Sequence, residues 1–131
     1  MIKLIQDNDI LFAKIIRANS QKNNTEFYTD TKDEIQFGIV NYAKNHKTGA
    51  HYHNHIKSNA NQTDEILIMQ NGSARIDFYN NEGVYIKSCE IFKGDVAILY
   101  KGGHNILFYE DSQLYKIQTG PYNEKDNKTR I

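Results

Sequence analysis

The sequence predicts an all-β domain, a sandwich or barrel of short strands. Three observations carry this. Apolar and polar residues alternate with period two in many short runs, as where Ala74, Ile76 and Phe78 alternate with Arg75, Asp77 and Tyr79. Turn residues part these runs at short intervals. Helical periodicity is scarce. At 131 residues, with no internal repeat or linker, the chain reads as a single domain over residues 1–131.

Taken in order, Ile10–Ile16 is the best candidate for a short helix and reads equally well as a strand, because no cap residue precedes an i, i+3, i+4 stripe. Ala18–Thr25 is polar and reads as a loop. Glu34–Tyr42 places Ile35, Phe37 and Ile39 on one face of a half-buried strand. Asn45–Gly49 is a turn, Ala50–Ile56 is extended, and Lys57–Asp64 is an exposed loop. Glu65–Met69 is a strand, closed by Gln70-Asn71-Gly72, whose Asn-Gly pair tolerates positive φ. After the turn at Asn80–Gly83, the runs Val84–Phe92, Val96–Tyr100, Asn105–Tyr109 and Leu114–Gln118 complete the series. The tail from Pro121 is polar.

Composition excludes several classes. The formal net charge is zero and no basic run stands out, so a nucleic-acid partner is not expected. The N-terminal run is broken by Asp7, Asn8 and Asp9, which suits neither a signal peptide nor a membrane span, and the expected location is the cytoplasm. The lone Cys89 permits no intramolecular disulfide and, in an alternating run, reads as a strand residue. No G-x-G-x-x-G follows a strand, and no nucleophile elbow is present.

Four of the five histidines fall in two short segments. The first, Gly49 to Gly72, carries His51, His53 and His55 at alternate positions and then Glu65. The second, GDVAILYKGGH, ends on His104. Histidines two apart on a strand face the same way, about 6.5–7 Å apart along the chain, and two imidazoles can meet one ion at about 2.0–2.2 Å. Three in a row span about 13 Å, too far for one ion unless the strand bends, so one of the three is spare. Imidazoles with a carboxylate suit iron, manganese, nickel, zinc or copper rather than calcium or magnesium. Alternating histidines also suit a merely solvated face. Ile106 and Phe108 share strand parity with His104, as Leu67 and Met69 do with Glu65, and read as core. Tyr100 is a weak candidate for a catalytic acid or hydrogen-bond donor at the pocket mouth. Lys57, Lys101 and Arg75 are candidate cations for an anionic ligand, and His46 reads as an exposed turn residue.

The two segments resemble the two motifs of the cupin superfamily. Glu65 followed by ILIMQN and Gly72 matches the end of the first motif, which opens on an H-x-H pair, and Gly94-Asp95 followed by VAILYKGGH matches the second in outline. The resemblance covers roughly Gln36 to Thr119. The loop Lys57–Asp64 is an insertion relative to it, Gly49 stands closer to the histidine pair than the motif has it, Tyr100 stands where the motif has proline, and the run to His104 is one residue short. The resemblance implies a jelly-roll barrel holding one divalent transition metal (zinc, iron, manganese or nickel) through His51, His53, Glu65 and His104, with His55 as the alternative to His51. The stretches GGHNILFYED, QTGPY and DNKTR are similar to small bacterial cupins found among surface-polysaccharide and nucleotide-sugar genes. That likeness implies a metal-dependent isomerase or epimerase acting on a small carbohydrate or nucleotide sugar. An iron-dependent oxygenase and a non-catalytic small-ligand binding module are the alternatives. Apolar residues on both faces of strands such as that of Ile66 and Ile68, and in the N-terminal segment, lead to the expectation of a homodimer.

Overall fold

The computed structural model describes residues 2–18, 24–53, 65–120 and 128–131, of which the side chains of Asn24, His53 and Lys128 are left aside. The expected loop at Lys57–Asp64 and most of the polar tail lie outside the described residues. All the described secondary structure is β, and all strand pairs are antiparallel.

The N-terminal segment resolves as strand, not helix. β1 (Ile2–Asp7) and β2 (Ile10–Ile16) pair in a hairpin through Asn8 and Asp9, both at positive φ (49° and 65°). Asn and Asp tolerate that conformation and give a turn whose twist matches the two strands. The residues that interrupt the apolar run are thus the turn.

The remaining strands are β3 (Asn24–Phe27), β4 (Ile35–Tyr42), β5 (His51–His53), β6 (Glu65–Asn71), β7 (Ser73–Tyr79), β8 (Tyr85–Phe92), β9 (Val96–Leu99), β10 (Gly103–Phe108), β11 (Ser112–Thr119) and β12 (Lys128–Arg130). They build two five-stranded sheets, in the orders β12-β5-β10-β7-β8 and β3-β4-β11-β6-β9. Each sheet turns one face to the other. The first contributes Ala74, Ile76, Ile91, Ile106 and Phe108 to the buried core, and the second Val40, Leu67, Met69, Leu99 and Leu114. Burying these side chains is the main stabilising term. Gly72, at φ 100°, makes the β6–β7 turn, and its missing Cβ leaves the space that the Ser112 side chain fills.

The alternation in β4 is present, but the face that enters the core is the other one. Gln36, Gly38 and Val40 are buried on the inner side, whereas Ile35 is 65% exposed. Phe37 and Ile39 lie on the other side, where Ile39 is nonetheless buried at 3% exposure and Phe37 packs near Tyr28 and Tyr115 at ring-centroid distances of 6.3 and 5.9 Å. Gln36 is tolerated inside because its amide donates to the Asp30 and Asp33 carbonyls and its Oε1 accepts from Thr29.

Candidate metal centre

β5 starts at His51 because the backbone ahead of it is pinned. Gly49, at φ 82°, donates its N–H to Asn105 Oδ1 at 2.9 Å. Its carbonyl lies 2.6 Å from His51 Nδ1. A carbonyl only accepts, so Nδ1 carries the proton and Nε2 of the neutral ring has the lone pair. Asn105 is anchored in turn by donating from Nδ2 to Asp77 Oδ2 at 2.9 Å. Asp77 also accepts from Arg75 at 2.8 and 3.2 Å and from Ser88 at 2.6 Å. Burial pushes the Asp77 carboxyl up, but the hydrogen bonds from Arg75, Ser88 and Asn105 and the Arg75 charge outweigh it and hold it below the ordinary carboxylate value. The Arg75 side chain is therefore occupied on the outer face of the first sheet.

His104 stands opposite His51 on one side and Phe78 on the other. Two glycines permit this. Gly102 takes φ 80° against the Tyr79 carbonyl, and a Cβ on Gly103 would stand 2.9 Å from the His51 carbonyl oxygen and clash with Ile131. The His51 and His104 rings meet edge to face, 4.6 Å between centroids. Both residues are buried, at 2% and 3% exposure.

Glu65 reaches the same place from the opposite sheet. It opens β6 between Leu99 of β9 and Gln118 of β11 and is buried. Its Oε1 stands 3.4 Å from His104 Nε2, and its Oε2 stands 3.5 Å from Lys116 Nζ. Two donors each about 2.1 Å from one ion at a tetrahedral angle lie about 3.4 Å apart, so the His104–Glu65 pair has the separation a shared ion requires. Among the described residues no three His, Cys, Asp or Glu side chains are arranged to hold an ion by themselves. His51 stands beside His104, and the side chain of His53, two residues along β5, is outside the described set. His55 lies outside the described residues.

His51, Glu65 and His104 line a cavity of about 520 Å³ between the sheets, within the range of small-molecule sites. Leu67, Ile106 and Phe108 belong to the core, as expected, and also form its apolar wall. Lys116 and Gln118 add polar groups from β11. His46 is exposed, as expected, but also stacks on Tyr42 at 3.9 Å between ring centroids and joins the lining with Lys47 and Arg130. Among the described residues the cations lining the cavity are Lys47, Lys116 and Arg130, where the sequence points to Lys57, Lys101 and Arg75. Lys57 lies outside the described residues and Lys101 is exposed. Tyr100 is 58% exposed and is not among the described residues that line the cavity. Cys89 is an exposed residue of β8.

Lys116 was legible only from parity. It shares a face with Leu114 and Gln118, and all three line the cavity, while Tyr115 and Ile117 face out. Hydrophobicity alone would have turned this strand over.

No protein-family model matches the chain, and no curated protein matches it in sequence. Solved structures do match. Oxalate decarboxylase from Bacillus subtilis is 16% identical with a TM-score of 0.58, over 76% of this chain and 24% of that one. A cupin-2 domain containing protein from Shewanella frigidimarina is 18% identical with a TM-score of 0.55, over 77% and 84%. Peruvianin-I, a cysteine peptidase from Thevetia peruviana latex, is 10% identical with a TM-score of 0.62, over 89% and 76%. The chain spans about a quarter of the length of the oxalate decarboxylase it matches. These likenesses establish the cupin jelly-roll fold. Proteins named for such different activities share it, so activity has to be argued from the site. No helix among the described residues is long and apolar enough to cross a membrane.

Proposed function

On this cupin scaffold, we propose that the cavity binds one divalent transition metal through His51, His53, Glu65 and His104 and takes a small polar ligand of the carbohydrate or nucleotide-sugar class. The observation that carries the metal is the buried His104–Glu65 pair, 3.4 Å apart across the two sheets with His51 beside it. A metal bound there supplies Lewis acidity toward a carbonyl or hydroxyl oxygen. The chain's own residues do the rest. The Gly49 carbonyl keeps the His51 proton on Nδ1 and so presents Nε2 as a donor. Leu67, Ile106 and Phe108 keep water from one side of the site. The stacked Tyr42 and His46 rings offer an apolar platform for a sugar face, and Lys47 and Arg130 offer charge to a phosphate.

The deciding measurement is elemental analysis of protein purified without a histidine tag, beside the His104→Ala variant. About one transition-metal ion per chain, lost in the variant, supports the centre; absence of metal from both overturns it. Isomerase or epimerase chemistry requires a proton to leave carbon. Deuterium incorporation into a nucleoside-diphosphate 4-keto-hexose incubated with the protein in heavy water would reveal it. Binding of that sugar without exchange would leave a ligand-binding module.

A second reading rests on Lys116. Its ammonium stands against the same carboxylate that a metal would use, 3.5 Å from Oε2. With Lys116 as the resident cation, His51 and His104 serve as acid and base without metal. Metal-free protein that still exchanges deuterium into the sugar favours this version.

A further inference from the structure

β5 carries His51 to the cavity, yet one of its two neighbours holds it lightly. Among the described residues its register with β10 is the single pair His51–His104. On the other side β12 supplies three pairs, Lys128–His53, Thr129–Tyr52 and Arg130–His51. β12 is itself three residues long and forms the edge of the first sheet. Short edge elements with few contacts open locally at low free energy. The strand that presents His51 therefore leans on one of the least secured strands of the fold.

The residues of β12 and its continuation add to that hold. Arg130 Nη1 donates to the Thr48 carbonyl at 3.0 Å, and a Cβ on Gly49 would stand 3.0 Å from the same nitrogen. The guanidinium thus lies against the Thr48–Gly49 peptide, and it is the Gly49 carbonyl that accepts from His51 Nδ1. Ile131 donates its N–H to the Ala50 carbonyl at 3.0 Å, and its side chain fills the space that a Cβ on Gly103 would need. Arg130 and Ile131 therefore touch the backbone just ahead of both His51 and His104.

Arg130 also lines the cavity. Glu65 is the one carboxylate in the lining among the described residues, and it faces His104 and Lys116. Arg130 meets no carboxylate among those residues. An arginine stays charged throughout the working pH range. Its planar fork of N–H donors suits paired phosphate oxygens, and Thr48 occupies only part of it.

We propose that Arg130 is a positioning residue: a phosphate of the ligand fills its open fork, fastens β12 on β5 and so holds His51 and His104 at the cavity. This rests on the reading of the cavity as a nucleotide-sugar site and adds how the ligand acts on the histidines. A phosphate that binds the docked form of β12 and not the open form shifts the population toward the docked one. By linkage, whatever fixes His51 strengthens the hold on the phosphate by the same factor.

Hydrogen exchange tests it on metal-free protein, stripped with a chelator and desalted. The probe is inorganic pyrophosphate, set against chloride at equal ionic strength. The amides of β5 and β12 are expected to slow about tenfold with pyrophosphate at about ten times its dissociation constant, itself measured by calorimetry. Arg130→Gln is expected to lose the slowing, and equal slowing in that variant overturns the inference. Pyrophosphate that binds without slowing β5 and β12 also overturns it, while leaving the cavity's anion site in place. Pyrophosphate that does not bind overturns both the inference and the nucleotide part of the cavity reading. Because Arg130→Gln can loosen β12 by itself, Arg130→Lys is measured beside it. That variant keeps the charge without the fork and is expected to keep part of the slowing. A lysine variant with intact strand circular dichroism and no slowing overturns the inference.

Discussion

On the outer face of the first sheet, Arg75, Asp77, Ser88 and Asn105 form one hydrogen-bonded network. On the outer face of the second, the two rows that run from Phe37 and Ile39 through β11 and β6 to β9 are apolar, and the hydrogen-bonded pair Asn41 and Gln113 stands beyond them. The inner faces also differ, since the first sheet brings His51 and His104 to the cavity and the second brings Glu65, Lys116 and Gln118. The difference divides the labour. The first sheet uses its polar outer face to hold a histidine in place through Asn105 and Gly49. The second places charge inward and carries its apolar rows on its back. A strand's outer face is thus as informative about function as its inner one.

The comparison breaks most readily at the donors themselves. His104→Ala and Glu65→Ala, one from each sheet, are expected to lower metal content from about one ion per chain to a small fraction of that, read by elemental analysis. If the first sheet's outer network orients His51, Asn105→Ala is expected to weaken metal affinity about 10–100-fold without removing a donor, measured by competition with a chelating dye. Unchanged affinity would make the network purely structural. Lys116 belongs to the other sheet and acts with the opposite sign. Lys116→Gln removes a positive charge facing the carboxylate and is expected to tighten metal binding about tenfold. Looser binding would mean that the lysine supports the site instead of competing for it.

The smallest effect concerns pH. The Asp77 carboxyl is held below its ordinary value in the folded chain. Its contribution to stability is therefore present above the unfolded value of about 3.9 and is lost as pH falls through the lower folded value. Asp77→Asn is expected to cost about 1–3 kcal/mol near neutrality, with the gap in urea midpoint narrowing below pH of about 4. A gap independent of pH would assign the loss to geometry, not charge.

Part of this was legible in the chain. Period-two alternation and turn residues determine the strands. Asn71-Gly72 determines the β6–β7 turn, and the parity that joins Glu65 to Leu67, and His104 to Ile106 and Phe108, survives folding because a strand cannot turn single side chains over. What alternation leaves open is which of two opposite faces goes inside. In β4 and β11 both choices satisfy period two. Hydrophobicity favours Ile35, Phe37, Tyr115 and Ile117, yet the folded chain buries Gln36 and turns Lys116 inward. The reason is that the sheet's neighbours, not its own sequence, decide. A cavity holding a carboxylate accepts a lysine and a glutamine.

Composition placed the histidines and Glu65 in two segments of chain. Only the pairing of β5 with β10, and the packing of that sheet on the one that carries Glu65, brings the His104 and Glu65 side chains to 3.4 Å. Side chains distant in sequence meet at distances set by register and sheet separation, and those are properties of the assembled fold.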